Sequence, residues 1–500
     1  MRSVLARPQA PSRHTTARGR WLLLAGVLAF AASLAGYVFR AVTHGKSYTM
    51  DPVDLGVYRS GGLIVRHVAP LYDPHLAAPL YDWSGYGALH LPFTYPPFAA
   101  IAFLPISLVP WLLAQRLSLA VDIVALLAAL WFTLGGLGYR AGRVRAGATL
   151  LGAAVVYWTE PVQRTMYLGQ VNLVLMALII WDLTQLDTRR TRWWKGFATG
   201  LAAGVKLIPL IFIPYLLLAR KFRQAAMACA GFAFTVACGF AVLPRDSARW
   251  WFGGLFLAGG RTGFTGWAGN QSLDGLMTRL AGSIHAAQPA WLAVAVVVGA
   301  AGVAAAARFD RAGHGMLAVL TAAACGLLVS PISWDHHWVW TAPAAVTAAA
   351  YAVRAARRGA ARAAAWCGIA AAAVVGVFAC WPTSWVGARA HLGHDSLGLI
   401  WIPPNTQPQD YYWYGDRPWF VEYHWHGLNL ITGNAYILAG LVGFGVLAAV
   451  SVLSRRPPLG GQAPLGGRPP LGGRPPLGGR PPLGGQAPLG PEGPRHGMAE

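Results

Sequence analysis

The sequence predicts an all-α polytopic membrane protein, and three observations carry that reading. Apolar runs of roughly 17–25 residues recur along the chain, the length needed to cross a hydrocarbon core. Only 12% of the 500 residues are charged and 55% are hydrophobic, with a mean hydropathy of +0.44. A soluble domain carries about 25% charged residues, so too little polar surface is left to cover a water-facing globule. The net charge of +22 gathers in short connectors, such as Arg140, Arg143 and Arg145, or Arg354, Arg357, Arg358 and Arg362. That is the orientation signal of cytoplasmic loops. No nucleic-acid recognition module accompanies the charge, so nucleic acid is not an expected partner.

Residues 1–20 read as a basic cytoplasmic N-terminus. The apolar run from Trp21 to about Val42 could end in a signal-peptide cleavage site near Ala29 and Ala31, but its length and the spans that follow favour an uncleaved first helix. An external loop, 44–97, holds Asp51, Asp54, Asp73 and Asp82. The Pro-bounded piece at 98–109 is too short to cross and reads as re-entrant. Spans are expected at 112–137, 148–160 and 168–186. Segment 196–219 joins two basic connectors, and Pro209 and Pro214 invite a break, so it reads as a broken hairpin buried in protein. Further spans are expected at 225–243, 291–307, 316–330, 338–353, 363–380 and 429–453, giving about ten crossings plus the hairpin. External loops then fall at 244–290 and 381–428. From residue 454 to 500, Pro-Leu-Gly-Gly units repeat, a composition that cannot bury a core, so a disordered cytoplasmic tail is expected. The multi-span domain is therefore 21–453. The five cysteines all lie in apolar segments and read as packing residues.

The long loops, not the spans, concentrate the polar chemistry. Loop 381–428 carries Trp401, Tyr411, Tyr412, Trp413, Tyr414, Trp419, Tyr423 and Trp425, suited to the interfacial belt or to stacking on sugar rings. Asp54 follows the first span, where partial desolvation equips a carboxylate as a general base; Asp51 competes with it. His336 and His337 close the stretch Ser330 to His337. Neighbours on a helix point about 100° apart, which argues against a two-His metal pair and for an imidazole meeting a hydroxyl or phosphate. Lys206, an ionisable group at membrane depth, has a phosphate as its natural partner, against the blander reading of snorkelling. Arg164 and Arg261 are further phosphate or substrate contacts. Gln170 and Asn172 lie near an external helix start, and Asn270 and Gln271 form an amide cluster suited to sugar hydroxyls. His424 and His426 make only a weak case for a metal, and no P-loop, Gly-x-Ser-x-Gly, zincin or Asp-x-Asp motif is present.

Six segments in order resemble glycosyltransferase family 87 of the GT-C superfamily: Asp54 to Tyr58 with Gly61 and Gly62; Phe93-Thr94-Tyr95-Pro96-Pro97; Gly169-Gln170-Val171-Asn172; Lys206-Leu207-Ile208-Pro209; Gly269-Asn270-Gln271-Ser272; and Ser330 to His337. The resemblance covers roughly residues 20–450. It implies a GT-C-type fold of about 10–12 transmembrane helices with long extracytoplasmic loops. It implies transfer of mannose, with inversion, from a polyprenyl-phosphate-mannose donor to a glycolipid hydroxyl in an α-1,2 linkage. The phosphatidylinositol mannoside and lipoarabinomannan enzymes are the type. The implied site lies on the extracytoplasmic face of the cell (plasma) membrane, with no cofactor and a dispensable metal. Asp54 is implied as base or acceptor-orienting group, with His337, ahead of His336, as base or phosphate contact. Tyr58 and Tyr95 join the implied substrate-binding residues. The alternatives are a GT-C transferase for another polyprenyl-phosphate sugar and a secondary transporter or flippase; a single broken segment and polar external loops favour an enzyme.

Overall fold

The computed structural model describes residues 15–44, 50–73, 91–382, 396–406 and 419–453. These are helical apart from connectors and one two-residue antiparallel pair, Trp381–Pro382 with Ser396–Leu397. The repeat tail, Asp82 and Tyr411 to Tyr414 lie outside the described residues. Six described helices are long and apolar enough to cross a membrane, and a bent pair makes a seventh. The fold is that of an all-α multi-pass membrane protein.

The N-terminal helix α1 (Thr15–His44) packs on the helix Arg143–Val156, and few residues of its apolar stretch are buried within the protein. Helix α2 (Val53–Arg66) follows Pro52, with Asp54 in its first turn. Its buried face rests on two short turns, α3 (Pro97–Ala102) and α4 (Leu104–Ser107), as expected of a segment too short to span. Arg59 and Arg66 clamp this contact by donating to the carbonyls of Val109 and Ser107. Helix α5 (Trp111–Gly136) is a full-length span; α6 (Arg143–Val156) starts and ends earlier than the crossing expected at 148–160.

Helices α7 (Glu160–Leu168) and α8 (Asn172–Thr184) meet at 117°. Gly169 makes that corner: its φ of +68° favours glycine, and a Cβ there would lie 2.7 Å from Leu55 Cβ. From that corner Gln170 reaches Tyr58 of α2, and both Gln170 and Asn172 reach Lys206.

Segment 196–219 is broken, as expected, but at Lys206 rather than at a proline. Helix α9 (Phe197–Val205) stops there with Lys206 extended, and a 3-10 turn, Ile208–Ile211, leads into α10 (Phe212–Leu218). Pro214 sits within the first turn of α10, where a missing N–H costs no helical bond. A stripe of Gly196, Gly200 and Gly204 lets α9 approach α11 (Phe222–Val242) closely. A Cβ at these positions would strike Gln224, Ala228 and Thr235 respectively. The break at Lys206 therefore starts from a firmly seated helix.

Helix α12 (Pro244–Trp251) leads through two 3-10 turns to α13 (Leu273–Ala281), capped by Ser272 Oγ accepting from the Gly275 N–H at 3.0 Å. Helices α14 (Ile284–Arg311), α15 (Gly315–Val329), α16 (Thr341–Arg357), α17 (Ala361–Phe378), α18 (Gly427–Gly433) and α19 (Ala435–Leu453) complete the bundle. Fewer helices than expected are long enough to cross alone. Helices α6, α15 and α16 have 14, 15 and 17 residues, and α15 is buried along most of its length, so its apolarity serves protein packing.

Candidate functional site

A cavity of about 760 Å³ opens among the first turn of α2, the α7–α8 corner, the Lys206 break, the end of α12 and the 3-10 turn Asp335–Trp340. The segments that the sequence singled out thus converge on one space. Asp54, Tyr95, Arg164, Gln170, Lys206, Arg261, His336 and His337 all line it.

Asp54 is half-buried at the wall, and among the described residues no hydrogen bond or ion pair engages its carboxylate. Asp51 also lines the cavity, but its side chain is hydrogen-bonded to Tyr167. Geometry therefore separates the two competing acids: Asp54 is the free one.

Lys206 is 9% exposed and donates to Gln170 Oε1 at 2.9 Å and Asn172 Oδ1 at 2.7 Å. Its Nζ stands 3.4 Å from His337 Nε2 and 5.5 Å from the Tyr95 ring centre. Among the described residues no carboxylate comes within ion-pair distance. A cation held only by amide dipoles and a ring is costly to bury, and an anion arriving in the cavity would relieve it. Tyr58 stands behind this cradle, its hydroxyl bonded to Gln170 Oε1 and 3.3 Å from the Tyr95 hydroxyl. It and Asn172 lie outside the cavity lining, and both act on it by orienting Gln170 and Lys206.

The two histidines share the cavity after all. A 3-10 turn, not an α-helix, carries them, and their rings stand 4.8 Å apart at 88°. Their surroundings differ. His336 is hydrogen-bonded through Nδ1 to Asp335 Oδ1 at 2.9 Å, and its Nε2 has no partner among the described residues. Its carbonyl accepts from Thr165 Oγ1 and Asn172 Nδ2, at 3.1 and 2.9 Å, which fixes the turn against α7 and α8. Burial, then the Lys206 cation and His336, push the His337 imidazole well below its ordinary pKa, so it stays neutral. Burial opposes ionisation of Asp335, but the His336 hydrogen bond and the charges of His336 and Arg164 outweigh it and hold the carboxyl at about 2.

Arg164 is committed to the protein: its Nε is 3.5 Å from Asp335 Oδ2 and its guanidinium lies over the Tyr167 and Trp401 rings. Arg261 donates to the Phe93 carbonyl at 2.9 Å and lies over Tyr72 and Trp250. Asn270 and Gln271 do not line the cavity. They are fully buried latches: Asn270 bonds Thr265, Pro331 and Ser333, and Gln271 bonds Ala268, Gly433 and Ile437. Their amides are spent on backbone groups that seat the Ser330 to His337 segment, leaving none for sugar hydroxyls. The aromatic wall comes instead from Trp267 and Trp334, 5.6 Å apart and edge to face. Trp401 and Trp425 of the aromatic loop are buried core residues. Sequence reasoning missed two members, Asp335 as partner of His336, and Glu160, which lies buried behind Asp335. The signal for Glu160 was an acid opening a helix in an otherwise apolar stretch.

Fold and cavity together define a multi-pass membrane protein in which a buried lysine and a carboxylate without a hydrogen bond among the described residues line one cavity. The sequence profile of "Glycosyltransferase family 87" matches residues 93–331. The chain is 33% identical to a "Polyprenol-phosphate-mannose-dependent alpha-(1-2)-phosphatidylinositol pentamannoside mannosyltransferase" of Mycobacterium tuberculosis (strain CDC 1551 / Oshkosh), over 88% of both chains. It is 34% identical to the "Polyprenol-phosphate-mannose-dependent alpha-(1-2)-phosphatidylinositol mannoside mannosyltransferase" of Mycobacterium tuberculosis (strain ATCC 25618 / H37Rv), over 65% of this chain and 76% of that one. A pentamannoside enzyme of Mycolicibacterium smegmatis (strain ATCC 700084 / mc(2)155) is 32% identical over 79% and 85%. No solved structure matches. The chain belongs to glycosyltransferase family 87.

Proposed function

We propose that this glycosyltransferase moves mannose from a polyprenyl-phosphate-mannose donor to a hydroxyl of a lipid-linked mannoside, with inversion, forming an α-1,2 linkage. We further propose that it does so on the extracytoplasmic face of the plasma membrane. One observation carries the reading: a buried lysine with no ion-pair partner among the described residues, Lys206, and a carboxylate free of hydrogen bonds, Asp54, face the same cavity. The names of the relatives supply the sugar and the carrier.

In this reading the acceptor oxygen attacks the anomeric carbon as the bond from that carbon to the phosphate oxygen breaks. Asp54 takes the acceptor proton. The departing lipid phosphate carries the electron pair and is received by Lys206, by His336 through Nε2, and at the rim by Arg261. Asp335 balances positive charge on the His336 ring. These donors are fixed before the substrate arrives, so the charge that develops on the phosphate meets a preorganised site. His337 stays neutral and orients Lys206. Trp267 and Trp334 offer faces for the sugar.

Purified protein given polyprenyl-phosphate mannose and a mannosylated phosphatidylinositol should release the lipid phosphate and extend the acceptor. The glucosyl and arabinosyl carriers should not substitute. No product from the mannosyl donor would sink the assignment. His336→Asn should lower kcat by about 100-fold or more, the scale of losing one oxyanion-binding donor, and His337→Asn by less. Labelling of Asp54→Cys by an impermeant thiol reagent from inside only would place the site on the wrong face.

A further inference from the structure

Behind His336 and Asp335 lies a second acid, Glu160, that the transfer chemistry does not use. It opens α7 and is 2% exposed. Its two oxygens accept from residues far along the chain, Oε1 from Trp401 Nε1 at 3.3 Å and Oε2 from the Tyr436 hydroxyl at 3.0 Å. Its other polar neighbour is the Asp335 carboxyl, within hydrogen-bonding reach. Asp335 Oδ1 is occupied by the backbone N–H and ring Nδ1 of His336, at 2.8 and 2.9 Å. Asp335 Oδ2 faces Arg164 Nε at 3.5 Å and receives no well-directed N–H. Two carboxyl groups in contact and out of water do not both ionise; the His336 ring and the Arg164 guanidinium both stand against Asp335, so the negative charge belongs there and the proton on Glu160. The enclosure is built for the purpose: Gly398 is pressed so close that a Cβ there would overlap the Tyr436 hydroxyl.

We propose that Glu160 is a neutral carboxylic acid that donates its hydrogen to Asp335 Oδ2, and is thereby a positioning residue for His336. The line runs Tyr436 to Glu160 to Asp335 to His336 and ends at an imidazole nitrogen open to the cavity. The proton on Glu160 is not transferred. It ties down the second oxygen of Asp335, so the first keeps the ring aimed, and it moderates the pull of Asp335 on the ring. The other titratable groups facing Glu160 are Arg164, Tyr436 and Cys380; those facing the His336 ring are His337 and, beyond it, Lys206.

The inference rests on His336 receiving the phosphate, and its test separates the two. Glu160→Gln keeps a donor for Asp335 and an acceptor for Tyr436 without charge. It should stay within a few-fold of the parent kcat and leave the basic limb of kcat/KM where it was. Glu160→Ala frees Asp335 to hold the imidazolium more tightly. It should lose about tenfold or more, the scale of removing a group that orients a functional residue, and its basic limb should move to higher pH. A downward shift of that limb in Glu160→Gln would mean that an anion had been removed, and would overturn the proposal. So would an unshifted limb in Glu160→Ala. An infrared difference spectrum between the parent protein and Glu160→Gln reads the acid without turnover. Loss of a carboxylic-acid carbonyl band is expected; loss of a carboxylate band alone overturns the proposal, and covers the case of Glu160→Ala failing to fold. Full activity in His336→Asn would remove the phosphate role of His336 and leave that spectrum untouched.

Discussion

Lys206 and Lys221 flank the same short apolar segment, and their surroundings are opposite. Lys221 reaches Asp310 at 2.7 Å and is partly open to solvent. Other cations of the basic connectors also have partners: Arg223 meets Asp187 at 3.0 Å, Lys195 donates to the Gln185 carbonyl at 2.6 Å, and Arg145 donates to the Trp131 carbonyl. At the cavity the circuits are open. Lys206 has amide oxygens and no carboxylate within ion-pair distance among the described residues, Asp54 has no bond, and His336 Nε2 has none. Satisfied charge holds a fold together; charge left unsatisfied at the wall of a cavity is stored for a ligand.

The sharpest way to break this contrast is Asp54→Asn. It keeps the shape of the first turn of α2 and removes the proton acceptor. Turnover should fall by about 1000-fold, within the range for a general base, with thermal unfolding unchanged. Near-parental turnover would show that the free carboxylate is idle.

The two lysines give the next largest effect and a crossed pattern. Lys206→Met removes a buried cation that the protein alone does not neutralise. It should cost about 100-fold in turnover with the mannosyl donor and leave thermal stability equal or higher. Lys221→Met should leave turnover intact and lower thermal stability, because it strands the buried Asp310 carboxylate. Loss of stability in Lys206→Met with turnover retained would reverse the contrast.

Much of the cavity could be read in the sequence because membrane context makes ionisable residues conspicuous. Lys206 stood out against Gly-Val and Leu-Ile, and Asp54 and His336 stood at span ends. The fold class was legible from hydropathy for the same reason. Four things were not. Which apolar helices face lipid was hidden, because α15 is buried along most of its length and hydropathy does not distinguish protein from lipid. Asn270 and Gln271 look like sugar ligands in one dimension, whereas their bonds to Pro331 and Gly433 exist only after folding. The partners of Glu160 lie 241 and 276 residues away, beyond any local pattern. Choice between the two histidines needed the 3-10 turn, which gives His336 its Asp335 and His337 its Lys206.

The smallest effect concerns an acid at neither extreme. Asp274, in the first turn of α13, is 5% exposed, and its best contact is Thr278 Oγ1 at 3.4 Å. Burial raises its pKa to about 6, against a weak opposing bond from Thr278. The folded protein therefore binds this proton more tightly than the unfolded chain does. Its stabilising effect is complete below the ordinary carboxyl range, fades as pH rises through about 6, and is gone above it. Asp274→Asn should match the parent melting temperature near pH 4 and exceed it by a few degrees at pH 7.5. Its activity should be unchanged, since Asp274 does not line the cavity. A melting difference independent of pH would mean that α13 senses the shape of this side chain and not its charge. Loss of turnover would mean that the segment carrying Asn270 transmits strain to the site.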